Sequence, residues 1–531
     1  MTNLQKRWLY ALWLIFIGGF AILHTLHLSA DFPNHSPWFM DWAKYTDEGW
    51  YGNAAIRAHL YGNWYLPGDF NPAPAVPVWP FLEWVLFFFT GVTIEAARGL
   101  AVAFFFVNLL LTYLLLRTRG PRWMSLLALT LIVTNPFIYC FSRLAILEPM
   151  LITLTLATLN LAVRLPRMKR PIIASAFIGL LFTLMMLTKT TAVFLLPALG
   201  WAMLLPLWGN RKLVVRCTAA AVGAFVAAFG VWMGIIIHLG IFADYKYLFF
   251  VNKYIKPKEF YWPLLSFWWS FHGGLWADCV LVPLAGAVIL GAVIFAWRRS
   301  EWGRALLLDP LFGASILVVA GYIFFMTYQN HPQPRYFAVV ALFSFILVAM
   351  EAESLLRRAN GGFANQRRVL GYLVIAIAGI AVSFNSVQTL NYATHREYTF
   401  VDAAERLTHY IDRHPNGNRL LVSISGDEIT LMTHLPALCD DFGTQELVAK
   451  MAAYQPGWWA TWNDIDPGTL EDLHAHYSLE QVASFRAFDD PERNVLVLFK
   501  LHPLPDGEVR DASLQNLQKP LSGDKIGIPI Q

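Results

Sequence analysis

The chain has 531 residues, of which 56% are hydrophobic and only 14% are charged. Because soluble proteins carry about a quarter charged residues, this composition excludes an ordinary soluble globular protein. The net charge of +4 is small and does not point to a nucleic-acid partner. The four cysteines are scattered and form no C-x-x-C pair, so they support neither a zinc site nor a disulfide framework.

Apolar runs of about 20 residues recur along most of the chain and indicate helices that cross a bilayer. The segment at 8–29 follows Lys6 and Arg7 and has no signal-peptidase site after it, so it is interpreted as an uncleaved first span. The apolar segments, in chain order, lie near 8–29, 79–92, 96–116, 122–141, 147–165, 171–188, 190–208, 214–239, 276–297, 308–328, 335–356 and 368–390.

The segment at 79–92 differs from the others because it is short and follows NPAPAVPVWP, whose prolines interrupt a helix. The positive-inside rule places basic connections in the cytoplasm. The basic connections lie at 117–122, 164–170, 210–216, 298–304 and 357–368. All of them are cytoplasmic only if 79–92 does not cross. We therefore predict a juxtamembrane or re-entrant helix at 79–92, about eleven crossings and an outer C-terminal region.

The composition changes near residue 394, where the chain becomes less apolar. DAAERLTHYIDRH (402–414) predicts an amphipathic helix, and RLLVSI (419–424) and NVLVLFK (494–500) predict strands. The expected organisation is a transmembrane domain at 1–390, with a first external loop at 30–95, and an extracytoplasmic α/β domain at 391–502. The polar segment 503–531 is predicted to be a flexible tail.

The first external loop carries adjacent acids, Asp47 and Glu48, among aromatic side chains. One interpretation is that both are solvated loop acids. The other is that an aromatic loop at the membrane surface partly desolvates the pair and separates their pKa values, so that one acid serves as a general base and its neighbour orients it. Trp50, Tyr51 and Asn53 follow closely and are candidate acceptor or cavity residues.

Two further polar stations interrupt apolar sequence on the same predicted face. Arg143 and Glu148, in SRLAILEPM, form either an interfacial charge pair or part of the same cavity. Lys189, in LMMLTKTTAVFLLP, either snorkels to the outer interface or binds a phosphate at a break between two spans.

The last station is HPQPRYF, which begins a late span with Arg335 and Tyr336. Arg335 is either an interfacial anchor or a guanidinium fork on a phosphate, to which Tyr336 adds a hydrogen bond.

The remaining polar groups are given structural or surface roles. His24 and His27 form an H-x-x-H pair without a third ligand, so no metal site is predicted, although a divalent metal remains compatible with the sequence. The acids expected on the surface of the C-terminal region are Asp427, Glu428, Asp440 and Asp441. The lysines expected to meet anionic lipid or solvent in the 240–275 loop are Lys246, Lys253, Lys256 and Lys258.

Taken in order, these stations resemble the GT-C membrane glycosyltransferases, most closely the superfamily of protein O-mannosyltransferases and aminoarabinose transferases. Asp47-Glu48-Gly49-Trp50-Tyr51-Gly52 is similar to the acidic motif of that family's first external loop. Four later stretches are similar to the family segments that follow: LYGNWYLPGDFNPAPAVPVWPFLEW, SRLAILEPM, LTKTTAVFLLP and HPQPRYF. The resemblance covers residues 8–350. The chain departs from it at 63–82, which lacks a basic residue, and at Glu148, where Asp is common, so the donor sugar and the branch stay open.

The resemblance implies a polytopic α-helical GT-C fold in a membrane, expected to be the bacterial inner membrane, and transfer of a hexosyl or pentosyl group. A polyprenyl-phosphate sugar enters from the outer leaflet, and Asp47 deprotonates an acceptor that attacks the anomeric carbon with inversion. The acceptor is a glycolipid, a protein or an envelope glycan. The implied catalytic acids are Asp47, Glu48 and Glu148, and the implied donor-phosphate ligands are Lys189, Arg335, Tyr336 and Arg143.

Two other classes of function compete with this interpretation. A transporter or flippase of lipid-linked sugars predicts internal repeats and polar residues near the bilayer midplane, whereas the sequence shows no repeat and places its polar stations at the outer helix ends. A non-catalytic membrane scaffold predicts that changes at Asp47 affect no transfer reaction.

Overall fold

A computed structural model describes residues 2–33, 41–251, 281–297, 301–328, 333–357, 364–463, 465–488 and 493–504. The predicted tail beyond residue 504 and the predicted contacts of Lys253, Lys256 and Lys258 lie outside the described residues. The helices of the apolar part, in chain order, are α1 (Asn3–Leu23), α2 (Asp47–Tyr61), α3 (Val78–Thr90), α4 (Ile94–Leu116), α5 (Arg122–Val133), α6 (Pro136–Phe141), α7 (Leu147–Ala162), α8 (Pro171–Thr188), α9 (Leu196–Leu204), α10 (Arg211–His238), α11 (Phe242–Lys246), α12 (Leu281–Trp297), α13 (Glu301–Leu307), α14 (Pro310–Tyr328), α15 (Phe337–Leu356) and α16 (Ala364–Thr394).

Long apolar helices dominate this part of the chain and confirm a polytopic membrane protein. Within the described residues, eight helical segments are long and apolar enough to cross a membrane. They are Asn3–Leu23, Ile94–Leu116, Pro171–Thr188, Thr190–Leu207, Arg211–His238, Pro310–Thr327, Pro334–Leu356 and Asn365–Arg413. The shorter apolar helices are Val78–Thr90, Arg122–Val133, Leu147–Ala162 and Pro283–Trp297. The number of eleven crossings remains a prediction because it depends on which of the shorter helices cross.

Helix α3 occupies the segment predicted as juxtamembrane. It has 13 residues, which gives it a length of about 20 Å, whereas the hydrocarbon core of a bilayer is about 30 Å thick. Gly91 follows it with a φ of 72°, a conformation that ends a helix at low cost only for glycine. The helix packs against α2 and α4, so it supports the helix that carries the acid pair.

The C-terminal region is a five-stranded sheet with helices on both faces. Its order is β2-β1-β3-β5-β4, with β1 parallel to β2 and β3, and β5 antiparallel to β3 and β4. The elements are α17 (Thr399–Arg413), β1 (Leu421–Val422), α18 (Gly426–Thr433), β2 (Ala437–Leu438), α19 (Leu447–Tyr454), β3 (Trp458–Trp462), α20 (Pro467–His476), β4 (Tyr477–Arg486) and β5 (Val495–Pro503). An α/β region was predicted here; its boundaries as a domain remain a prediction.

Alternate side chains of β3 pack into the two hydrophobic cores of this region, one on each face of the sheet. Trp458 and Trp462 face the core shared with α17, and Trp459 faces the core on the side of α19 and α20. Successive strand residues point to opposite faces, so a run of five buried residues, WWATW, fills both layers at once.

The sheet region touches the apolar part through α18, which packs on α2. Gly49 makes this approach possible: a Cβ added there would lie 2.2 Å from the carbonyl carbon of Asp427 and from the backbone nitrogen of Glu428. Helix α2 is therefore held between the membrane helices and the sheet region.

Candidate functional site

A cavity of about 300 Å³ opens beside the first turn of α2. Its polar wall comes from three separate parts of the chain, and the remaining wall is apolar. The polar and aromatic residues at the cavity are Asp47, Trp50, Tyr51, Lys189, Arg335 and Tyr336, and the apolar ones include Leu147, Met186, Val193, Phe194, Leu248, Phe249 and Phe325. A site with this lining can accept a ligand that has a charged end and a hydrocarbon part.

Asp47 is the first residue of α2, where free backbone N–H groups favour a carboxylate. Its side chain is only 3% exposed. The Thr46 hydroxyl donates to its Oδ1 over 3.2 Å, and Nη2 of Arg335 lies 3.1 Å from its Oδ2. Burial raises the pKa of Asp47 and the charge of Arg335 opposes that shift. Asp47 is therefore a poorly hydrated carboxylate, as a general base requires.

Arg335 is the middle residue of the turn Pro334–Tyr336, which leads into α15, and its guanidinium connects two acids. Its Nη1 lies 2.5 Å from Oδ1 of Asp41, and its backbone N–H donates to Oδ2 of Asp41 over 2.7 Å. The guanidinium also lies over the ring of Tyr336, 4.8 Å from its centroid. A guanidinium fixed from three sides presents its donors in one orientation, which suits recognition of an oxyanion.

Lys189 lies at the break between α8 and the turn Thr190–Leu195. Its Nζ is 2.5 Å from Oε1 of Glu148, the second residue of α7. The same ammonium lies 4.6 Å from the centroid of the Tyr336 ring and 6.0 Å from that of Tyr51. Two cations and two aromatic rings thus line the same cavity as the carboxylate of Asp47, which is paired with Arg335.

Three of the sequence-predicted site residues lie elsewhere. Glu48 is fully buried and forms a two-point ion pair with Arg98 of α4, at 2.7 and 2.6 Å, and accepts the N–H of Ala145 at 2.7 Å. Asn53 donates to the carbonyl of Phe70 and to Asp427, at 2.9 and 3.3 Å. These contacts tie α2 to its neighbours.

Arg143 is the third of these residues, and it lines a second cleft that shares no residue with the cavity. Sequence order placed it beside Glu148, but the turn 142–146 directs the two side chains to different sides. The pairing of Arg143 with Glu148 that was considered from sequence is therefore wrong: Glu148 pairs with Lys189.

Several residues at or near the site were missed or misjudged from sequence. Asp41, six residues before the acid pair, holds Arg335; only its place in the same acidic loop could have indicated it. Asp427, Glu428 and Asp440 were predicted as surface acids, yet they are buried. Glu428 accepts the N–H of Gly49 at 2.7 Å, and Asp427 pairs with Arg57 at 2.9 Å. Their role depends on α2, which lies some 370 residues away in sequence.

His24 and His27, which the sequence suggested as a pair, lie just after α1 and contact different partners. The His24 ring is buried, contacts the Ser142 hydroxyl at 2.8 Å and stacks on Phe105. His27 contacts the hydroxyl of Tyr398 at 3.0 Å. Among the described residues, no group of three or more His, Cys, Asp or Glu side chains has the geometry to hold a metal ion.

The arrangement of apolar helices, helix α2 and C-terminal sheet resembles the fold of solved GT-C glycosyltransferases. One solved structure that it resembles is ArnT from Cupriavidus metallidurans bound to undecaprenyl phosphate, with a TM-score of 0.59, 12% identity, and coverage of 92% of this chain and 98% of that one. Another is the archaeal oligosaccharyltransferase AglB from Archaeoglobus fulgidus, in complex with an inhibitory peptide and a dolichol-phosphate, with a TM-score of 0.54, 14% identity, and coverage of 91% and 74%. At these identities the similarity shows a common fold. No protein-family model and no curated protein sequence matches the chain.

Proposed function

We propose that the protein is a glycosyltransferase that moves a hexosyl or pentosyl group from a polyprenyl-phosphate donor to an acceptor outside the cytoplasm, with inversion. The observation that carries this proposal is the cavity in which the buried carboxylate of Asp47 faces Arg335 and Lys189 beside an apolar wall. The ligands named for the two similar structures, undecaprenyl phosphate and dolichol-phosphate, have the same combination of phosphate and hydrocarbon chain.

The reaction assigns one role to each polar residue. Asp47 removes the proton from a hydroxyl or amine of the acceptor as that atom forms its bond to the anomeric carbon. The bond from that carbon to the phosphate oxygen breaks, and the electron pair leaves with the lipid phosphate. Lys189 and Arg335 stabilise the charge that develops there, which is a large source of catalysis in a poorly hydrated site. A single displacement inverts the anomeric configuration.

The other residues support these roles. Glu148 holds the ammonium of Lys189, and Tyr336 and Tyr51 provide aromatic faces beside it. Burial raises the pKa of Tyr51 well above that of a free tyrosine, so it stays a neutral phenol that can donate to a sugar or phosphate oxygen. The proposed location is the bacterial inner membrane, with the cavity and the sheet region on the extracytoplasmic side. A glycolipid, a protein and an envelope glycan are all acceptors that could reach the cavity from there.

The experiment is sugar transfer by the purified protein from a synthetic polyprenyl-phosphate sugar, measured beside donor binding. Donor and acceptor are first chosen by mass spectrometry of envelope glycans, glycolipids and glycoproteins from cells with and without the protein. Asp47→Asn keeps the shape of the side chain but removes the base, so we expect turnover to fall by a factor of about 10²–10⁴ with donor affinity little changed. Lys189→Met should weaken donor affinity by about 10- to 100-fold, because hydrogen bonds to charged groups contribute about 1.5–3 kcal/mol.

Two control variants remove the same charges away from the cavity. Asp412→Asn changes an exposed acid of α17 that pairs with Arg419 at 2.6 Å, and Lys212→Met changes an exposed lysine in the first turn of α10. Both should transfer sugar at the wild-type rate. Wild-type turnover by Asp47→Asn would remove Asp47 as the base. Movement of the labelled lipid across a vesicle bilayer without any transfer would replace the proposal with a flippase.

A further inference from the structure

A second cleft lies at the ends of several helices, on the same side of the molecule as the sheet region. It forms where the C-terminal ends of α1 and α16 meet the N-terminal end of α4 and the turn 142–146, and it encloses about 60 Å³. Its acidic, basic and histidine lining residues are His27, Asp31, Arg98, Arg143, His395, Arg396 and Glu397. The proposed transfer reaction uses none of them.

Arg143 is the main feature of this cleft because its guanidinium contacts only neutral hydrogen-bond partners. The guanidinium donates to the carbonyl oxygens of Leu26 and His27, over 2.5 and 2.6 Å, and to the hydroxyl of Tyr139, whose ring it also covers. Within the described residues no carboxylate lies at ion-pair distance from it. Burial and the nearby charge of Arg98 lower the pKa of Arg143 to about 10, which leaves it charged at neutral pH.

The acids near the cleft do not neutralise this charge. Asp31 is used as the cap of α17, since it accepts the N–H and the hydroxyl of Thr399, both at 2.7 Å, and the N–H of Phe400 at 3.2 Å. Arg98 is neutralised by Glu48. Arg396 and Glu397 are exposed at the rim, and neither forms an ion pair among the described residues. Arg143 and Arg396 thus present two guanidinium groups to one opening.

The surroundings indicate what kind of anion reaches this opening. Helices α1 and α16 lead up to the cleft with large apolar side chains exposed on their surfaces: Ile22, Phe384, Val387 and Leu390. Such surfaces face hydrocarbon when the helices cross a bilayer. The cleft therefore lies where the headgroups of the adjacent leaflet begin, and the donors of a guanidinium fit the oxygens of a phosphate.

We propose that this cleft binds the phosphate of an anionic membrane lipid through Arg143 and Arg396, with the lipid chains against α1 and α16. This lipid site is separate from the cavity that contains Asp47. The proposal rests on the cleft and on the helices that border it, so it stands whether or not the protein transfers sugar.

Native mass spectrometry of the purified protein, delipidated and then supplied with phosphatidylglycerol or phosphatidylcholine, tests the proposal. The wild-type protein should retain phosphatidylglycerol in preference to phosphatidylcholine. Because each basic group near a membrane surface contributes about 1 kcal/mol to the attraction of anionic lipid, Arg143→Gln with Arg396→Gln should reduce this preference by about tenfold or more. The matched double variant, Arg413→Gln with Arg419→Gln, removes two outer positive charges of the sheet region and should keep the preference.

The other outcomes are also decisive. An equal preference in the cleft double variant and the wild type would overturn the site. If inorganic phosphate alone raises the Tm as much as phosphatidylglycerol does, the ligand is free phosphate and not a lipid. Arg143 also supports the end of α1, so its replacement could unfold the protein. In that case the exposed Arg396→Gln variant decides: it should lower the preference by itself, and an unchanged preference would contradict the proposal.

Discussion

Asp47 and Glu48 are adjacent in sequence but serve different parts of the molecule. Successive residues of a helix point about 100° apart, and α2 begins at Asp47, so one carboxylate reaches the cavity and the other reaches Arg98. From sequence, the pair was predicted to act together on an acceptor. The two carboxylates have separate partners because the helix starts at Asp47 and because Arg98, 50 residues after Glu48, lies beside Glu48.

The division between the two acids leads to a prediction for Glu48→Gln. Removal of one partner from a buried ion pair typically costs about 3–5 kcal/mol, because the other charge is left uncompensated. We therefore expect a clearly lowered Tm and a smaller loss of transfer per folded molecule than in Asp47→Asn. Differential scanning fluorimetry of Glu48→Gln beside Glu405→Gln, which alters an exposed acid of α17, makes the comparison. If the two variants melt at the same temperature, the Glu48–Arg98 pair does not stabilise α2.

At the scale of elements, α2 is the component on which the others converge. It contacts α3 on one side and α18 of the sheet region on another. Both glycines of its first turns lie against polar groups: a Cβ at Gly49 would meet the backbone of Asp427, and one at Gly52 would lie 2.3 Å from Oε2 of Glu83. The residues that position Asp47 therefore come from both parts of the chain.

This packing predicts the effect of a single methyl group. Gly49→Ala forces α2 and α18 apart, and overpacking of this kind costs about 1–3 kcal/mol, so both the Tm and the transfer rate should fall as Asp47 moves. Gly230→Ala is the matched control, since it is also a helical glycine and no atom lies within 4 Å of the added Cβ. That variant should be as stable as the wild type. Full activity and stability of Gly49→Ala would show that α2 and α18 separate without consequence.

The whole molecule shows which features a sequence can predict. Local composition predicts the long apolar helices, the short α3 and the α/β character of the C-terminal region. These predictions agree with the helices and strands observed. Lys189, Arg335 and Tyr336 were found as polar interruptions of apolar sequence. Asp41, Asp427 and Glu428 could not be found in this way, because their partners lie hundreds of residues distant and an acid in a loop has the same sequence pattern whether it is solvated or buried.

Orientation in the membrane is the prediction that belongs to the whole molecule. In a protein whose native cysteines are replaced by serine, a cysteine at Arg413 should react with an impermeant maleimide in intact cells. A cysteine at Lys169 should react only after permeabilisation. Both positions are exposed, so burial does not explain a difference. Labelling of position 413 only after permeabilisation would mean that the sheet region and the cavity face the cytoplasm.

The cations of the cavity already have carboxylate partners within the chain: Arg335 has Asp41 and Asp47, and Lys189 has Glu148. A phosphate that binds these cations must compete with those acids. Competition for Arg335 weakens its hold on Asp47, so in the proposed reaction the arrival of the donor would itself increase the basicity of Asp47, the proposed base. Departure of the lipid phosphate would restore the original pairs, and the internal carboxylates would act as built-in competitors that limit product inhibition.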